Sequence, residues 1–238
     1  MHLLFLFISI VSLACKTNPK VASTVEGSSS STVEASSTMP IETTSTAKRI
    51  DVNTTVDYDS TKWIELTEAD GYIIDIKYAT TDNFVKEAVY PCGRCFVKPK
   101  VAEMLSHVRD ELKIAGYKLK LFDCYRPRPV QYKLWEKVPN PSYVADPRKG
   151  SMHNRGTALD LTLTDRTGKE IDMGTPYDFF GKEAHHDYTG HSEKINGFRK
   201  RLKSTMEQHG FASIRTEWWH YSLASGSYPL EDWQWKCN

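Results

Sequence analysis

The sequence predicts an α+β fold: a single domain in which a small, mainly antiparallel sheet is flanked by helices. Two segments, 99–115 and 192–209, carry apolar residues at helical spacing. Two others, 117–122 and 158–163, alternate as half-buried strands do. These elements interleave without the regular βαβ rhythm of a parallel sheet, which is the pattern of an α+β domain.

The folded region is expected to begin near Trp63, and Tyr72-Ile73-Ile74-Asp75-Ile76-Lys77-Tyr78 reads as its first strand. In 99–115, Pro99 suits the first helical turn, Val101, Met104, Leu105, Val108 and Leu112 make one apolar stripe, and Gly116 ends it. Tyr117 to Phe122 then alternate apolar residues with lysine. Pro127 and Pro129 open a helix holding Val130, Leu134 and Trp135. In 158–163, Leu159, Leu161 and Leu163 face one way and Ala158, Asp160 and Thr162 the other. Ser192 is the expected N-cap of the helix over 192–209, whose stripe is Ile195, Phe198, Leu202 and Met206 and whose terminator is Gly210. A last strand runs from Trp218 to Leu223, and no internal repeat is visible.

Lysine and arginine number 31 against 30 acidic residues, a net charge of +1, so neither nucleic acid nor an anionic membrane surface is the expected partner. MHLLFLFISIVSLA, residues 1–14, is too short for a membrane span, which needs ~20 apolar residues, and reads as a signal peptide. Leu13-Ala14 before Cys15 resembles a bacterial lipobox, in which Cys15 becomes a lipidated first residue; plain secretion is the alternative. Residues 15–50 are rich in Ser, Thr, Glu and Ala, with little to bury, and read as a disordered tether. The expected locale is the bacterial cell envelope, periplasmic or on the surface, with membrane contact only through the lipid. Residues 51–238 suit one domain with a sizeable core.

Asp160 sits in mid-strand opposite three leucines, a costly place for an unpaired carboxylate. His153 precedes it in the loop Gly150-Ser151-Met152-His153-Asn154-Arg155-Gly156, and Glu217-Trp218-Trp219-His220-Tyr221 adds a second imidazole and a second carboxylate. Two imidazoles and one carboxylate are a usual catalytic zinc set, leaving the fourth position to water. A further carboxylate can take a proton from that water. Each residue alone has a plainer reading: a hydrogen-bonded histidine, a buried acceptor in a strand, ordinary core aromatics.

The pattern Ser151-x-His153-x-x-Gly156-x-Ala158-x-Asp160 followed by Glu217-Trp218-Trp219-His220 resembles the zinc D,D-peptidases that act on peptidoglycan precursors and fragments, and within them the D-alanyl-D-alanine dipeptidases of the VanX type. Lys77-Tyr78-Ala79-Thr80 through Asp82-Asn83-Phe84, Asp123-Cys124-Tyr125-Arg126-Pro127, and Met173-Gly174 through Tyr177-Asp178-Phe179 agree with it. The resemblance implies one zinc per chain held by His153, Asp160 and His220, with Glu217 as general base and Arg126 as stabiliser of the oxyanion. It implies a pocket lined by Tyr78, Ser151 and Asp178, where Asp178 holds the ammonium of a free dipeptide. For Arg126 the plainer reading is a buried ion pair with Asp123 or another carboxylate. The implied reaction is hydrolysis of D-alanyl-D-alanine to two D-alanines. A D,D-carboxypeptidase or endopeptidase on stem peptides would need an open groove; a zinc-stabilised wall-binding module would need neither Glu217 nor Arg126.

Cys92, Cys95, Cys124 and Cys237 suggest two disulfides, for which three connectivities are open; Cys92-x-x-Cys95 as half of a structural zinc site is the alternative. A bridge at Cys124 would stiffen the segment presenting Arg126. His185, His186 and His191 are expected to belong to a solvated loop, and His107 and His209 to carry no signal.

Overall fold

Strands β1 (Ile64–Leu66) and β3 (Cys95–Val97) pair antiparallel as a small ribbon. The main sheet holds β2 (Ile73–Ile74), β4 (Lys118–Asp123), β5 (Ala158–Thr164), β6 (Phe211–Ile214) and β7 (Glu217–Leu223). Their spatial order is β2-β4-β5-β7-β6, and every neighbouring pair is antiparallel except β2 with β4. Three helices, α1 (Pro99–Ile114), α2 (Arg128–Lys137) and α3 (Glu193–Gln208), complete the α+β architecture expected from sequence. The computed structural model describes residues 56–237. The signal peptide, Cys15 and the tether therefore lie outside the described residues.

The apolar spacing of α1 and α3 puts Val101, Leu105, Val108 and Leu112 of one, and Leu202 and Met206 of the other, in the core. The two helices pack on each other, α1 against β4 and α3 against β5, β6 and β7. Pro99 opens α1, and Ser192 caps α3 through an Oγ that accepts from the Ile195 N–H at 3.3 Å. In the sheet Leu119 stands opposite Leu163 and Leu121 opposite Leu161, all four fully buried. Each such leucine contributes roughly 1.5–3 kcal/mol by leaving water.

The alternation that sends the leucines of β5 one way sends Asp160 and its partner His220 the other, and a register irregularity between Leu121 and Asp123 brings Asp123 opposite Asp160. These three are direct register partners across β4, β5 and β7. All seven residues of β5 are buried, so both of its faces are covered, rather than one as its alternation suggests.

Two features depart from the sequence reading. The strand expected over Tyr72–Tyr78 is only Ile73–Ile74, because the chain tightens into a 3-10 turn at Lys77–Ala79 that buries Tyr78. β1, β3 and β6 are too short to leave a periodic signal. The four cysteines form the disulfides Cys92–Cys237 and Cys95–Cys124, which excludes the half zinc site. The second joins β3 to the segment just before Arg126.

Candidate active site and metal centre

His153 is carried by a 3-10 turn, His153–Arg155, that enters β5. Gly156 ends this turn at φ +68°, and a side chain there would collide with the Trp63 ring, so the glycine of the motif answers both a backbone and a packing need. The His153 Nδ1–H donates to the Cys124 carbonyl at 2.8 Å, which turns Nε2 toward the sheet. There it lies 3.0 Å from His220 Nδ1 and 3.2 Å from Asp160 Oδ1; His220 Nδ1 is 3.0 Å from the same oxygen. All three side chains are buried.

Two nitrogens and one oxygen thus form a nearly equilateral triangle. Ligands at 2.0–2.1 Å from a tetrahedral ion stand about 3.3 Å apart, close to these separations. The residues fit a metal ion of that geometry, and His153 already has the outer hydrogen bond that fixes a ligand imidazole. Burial opposes the charge of Asp160, but the imidazoles of His153 and His220 outweigh it and hold the carboxyl well below the usual range. Its other oxygen accepts from the Tyr177 hydroxyl at 2.9 Å.

Arg126 lies beside this triangle, with Nη2 4.0 Å from Asp160 Oδ2. Its Nε and Nη2 donate to Asp123 Oδ2 at 3.0 and 2.6 Å, and Nη1 to Gln131 Oε1 at 3.0 Å. The ion pair read as the plainer role of Arg126 therefore exists, yet the guanidinium also faces the cavity described below. Asp123 accepts in addition from the Tyr90 hydroxyl at 2.7 Å.

Glu217 lies across the site, with Oε2 4.0 Å from His220 Nδ1. Burial lifts its pKa to about 7 against the pull of His220. The 22% of the side chain that remains exposed opens onto the cavity. Asp178 accepts from the Tyr78 hydroxyl at 3.0 Å and adopts φ +57°, a left-handed conformation that aspartate tolerates better than most residues. Burial, reinforced by the charge of Asp160, pushes its carboxyl well above the usual range. The Ser151 hydroxyl donates to Asn154 Oδ1 at 3.1 Å, and Asn154 Nδ2 donates to the Arg126 carbonyl at 2.7 Å.

All eight residues singled out from sequence line one cavity of about 430 Å³. Sequence reasoning named Asp123 as a partner for Arg126 but missed Gln131, Asn154 and Tyr177 among the residues that hold the site. Asn154 and Tyr177 fell inside quoted motif stretches but carried no spacing signal of their own. The loop histidines stand apart. His185 Nδ1 accepts from the Arg215 guanidinium at 2.9 Å, and His191 Nε2 bonds to the Glu183 carbonyl at 2.8 Å. Among the described residues the only metal-competent group is His153, Asp160 and His220.

A D-alanyl-D-alanine dipeptidase of Escherichia coli K12 is 36% identical over 165 residues, covering 69% of this chain and 86% of that protein. One from Enterococcus faecium is 35% identical over 179 residues, covering 65% of this chain and 87% of the relative. A solved structure of the vancomycin-resistance D,D-pentapeptidase VanY in complex with Zn(II) matches 55% of this chain and 74% of its own at 14% identity. Its TM-score of 0.38 is too low to carry an argument about the site. The family profile described as Peptidase_M15, D-ala-D-ala dipeptidase, matches residues 59–235, and with relatives at this identity the chain belongs to that family.

Proposed function

We propose that the protein is a zinc-dependent dipeptidase that hydrolyses D-alanyl-D-alanine to two D-alanines in peptidoglycan precursor or fragment metabolism. The observation that carries this reading is the meeting, in one cavity, of the His153–Asp160–His220 triangle, an electropositive Arg126 and a carboxylate with a raised pKa, Glu217. Family membership and the names of the relatives support the substrate.

Zinc, held by His153, Asp160 and His220, would supply Lewis-acid polarisation and acidify a water. Glu217 takes the proton of the attacking water, for which a pKa near neutrality suits a base. The C–O bond forms at the scissile carbonyl, and Arg126 faces the negative charge that develops on its oxygen. Glu217 then delivers the proton to the departing nitrogen as the C–N bond breaks. Asp178, with Tyr78 behind it, meets the substrate ammonium. Burial favours the neutral acid when Asp178 has no cationic partner, and an ammonium at that place restores the carboxylate and forms a charge-assisted bond.

The same proposal places the protein in the bacterial cell envelope, tethered through a lipidated Cys15 after removal of residues 1–14. The two disulfides support an oxidising compartment. Amino-acid release from D-Ala-D-Ala, L-Ala-L-Ala and a stem pentapeptide by zinc-loaded protein tests the activity: turnover of the first alone is expected. Labelled palmitate incorporation that disappears in Cys15→Ala tests the anchor.

A further inference from the structure

Asp178 lies between two cavities. One is the active-site cavity; the other, of about 370 Å³, adjoins it and is lined by the charged Lys77, Asp82, Lys86 and Glu170 together with Phe122, Tyr177 and Phe179. The two share three wall residues, Asp178, Phe84 and Phe180. The rings of Phe84 and Phe180 meet edge to face at 5.0 Å, Phe84 packs edge-on to Tyr78 at 6.1 Å, and Tyr143 stacks on Phe180 at 4.7 Å. Three chain segments, one following the Lys77–Ala79 turn, one following α2 and one following Asp178, are thus joined by a run of ring contacts at the amine end of the active-site cavity.

We infer that the Phe84–Phe180 pair is the specificity determinant that limits the substrate to a free dipeptide, by closing the passage from the active-site cavity into the second cavity beyond Asp178. The inference rests on the dipeptidase reading and deepens it. An ion pair with Asp178 rewards a free amine, but alone it does not bar a longer chain from passing beside it. Two aromatic rings in contact do, because a peptide cannot enter without separating them and losing their packing. The second cavity, with two lysines and two carboxylates on its wall, has the charge to solvate the polar backbone of an N-terminally extended peptide ending in D-Ala-D-Ala. The substrate class admitted by an opened partition is therefore the N-terminally extended, stem-type peptide, whose backbone the charges and whose side chains the rings can meet.

The test compares kcat/KM for D-Ala-D-Ala, N-acetyl-D-Ala-D-Ala and L-Lys-D-Ala-D-Ala in zinc-loaded wild type, Phe84→Ala, Phe180→Ala and Phe180→Leu. Phe180→Leu keeps an apolar side chain should the alanine variants fold poorly, and thermal unfolding identifies the variants that are folded. The wild type is expected to favour the free dipeptide at least a hundredfold. In the folded variants the ratio of free to extended substrate should fall tenfold or more, with the largest gain for the tripeptide. An unchanged ratio in folded variants overturns the aromatic partition while leaving the dipeptidase reading intact. A wild type that cleaves all three substrates equally overturns the reading itself.

Discussion

Glu217 Oε2 lies 4.0 Å from His220 Nδ1 although the two residues are three apart on β7, where a regular strand would send them to opposite faces. The register explains it. On the β5 side, β7 pairs normally up to Asp160↔His220. On the β6 side the pairing jumps from Ser213↔Tyr221 to Ile214↔Glu217, so the strand is irregular between the two functional residues. The irregularity brings Glu217 and His220, the proposed base and a proposed metal ligand, to one side of the sheet.

If Glu217 is base and not ligand, Glu217→Gln should lower kcat by about a thousandfold, within the span ascribed to general-base catalysis. Bound zinc, measured by elemental analysis, should stay near one per chain. Loss of the metal in this variant would show that Glu217 helps to hold it.

The raised pKa of Glu217 also predicts a stability effect in metal-free protein. The folded state binds this proton up to about pH 7, whereas the unfolded chain releases it near 4.5. The contribution is full below 4.5, fades as pH rises, and is gone above about 7. Metal-free Glu217→Gln, which cannot ionise, should therefore match wild type at pH 4 and exceed it by roughly 1–3 kcal/mol at pH 8 in denaturant unfolding. Equal stabilities at both pH values would contradict the burial of this carboxyl.

Asp123→Asn should lower kcat by ten- to a hundredfold with zinc retained, since Asp123 takes two of the donors of Arg126 and fixes its direction. It should also lower stability by about 3 kcal/mol, because a buried guanidinium is left without its charged partner. A kcat unchanged in a folded Asp123→Asn protein would mean that Gln131 suffices to orient Arg126.

Opening the Cys95–Cys124 disulfide, as Cys95→Ser/Cys124→Ser, releases a constraint across a sequence separation of 29. The chain-entropy model gives a cost of about 3–4 kcal/mol. The Cys124 carbonyl also receives the His153 Nδ1–H, so zinc affinity should fall along with the melting temperature. Unchanged zinc affinity would confine the bridge to a role in stability.

The helices, the three longer strands and the eight cavity residues were legible because each leaves a mark: an apolar stripe, an alternation or, for the cavity residues, motifs that resemble a known family. The shortening of Tyr72–Tyr78 was not legible. Its sequence alternates well enough for a strand, and only the hydrogen bond from Tyr78 to Asp178, 100 positions away, gives the turn at Lys77–Ala79 its purpose. Gln131 and Asn154 were invisible for a related reason. A buried polar residue is identified by its partners, and theirs are carbonyls and a guanidinium brought together by the fold. Disulfide connectivity likewise depends on which Cβ atoms meet, which spacing does not encode.

In the proposed function the cavity is built around a free dipeptide, with Asp178 at the ammonium and the metal-ligand triangle at the scissile bond. Steady-state kcat/KM for D-Ala-D-Ala against N-acetyl-D-Ala-D-Ala on the zinc-loaded enzyme tests it most directly. Acetylation removes the cation and leaves the half-buried Asp178 with only the Tyr78 hydroxyl as partner, so the acetylated substrate should be cleaved at least about a hundredfold more slowly, a difference of about 2.7 kcal/mol. Asp178→Asn should narrow that gap, chiefly by slowing the free dipeptide. Equal values for the two substrates in the wild type would contradict the account and point to a carboxypeptidase with an open groove.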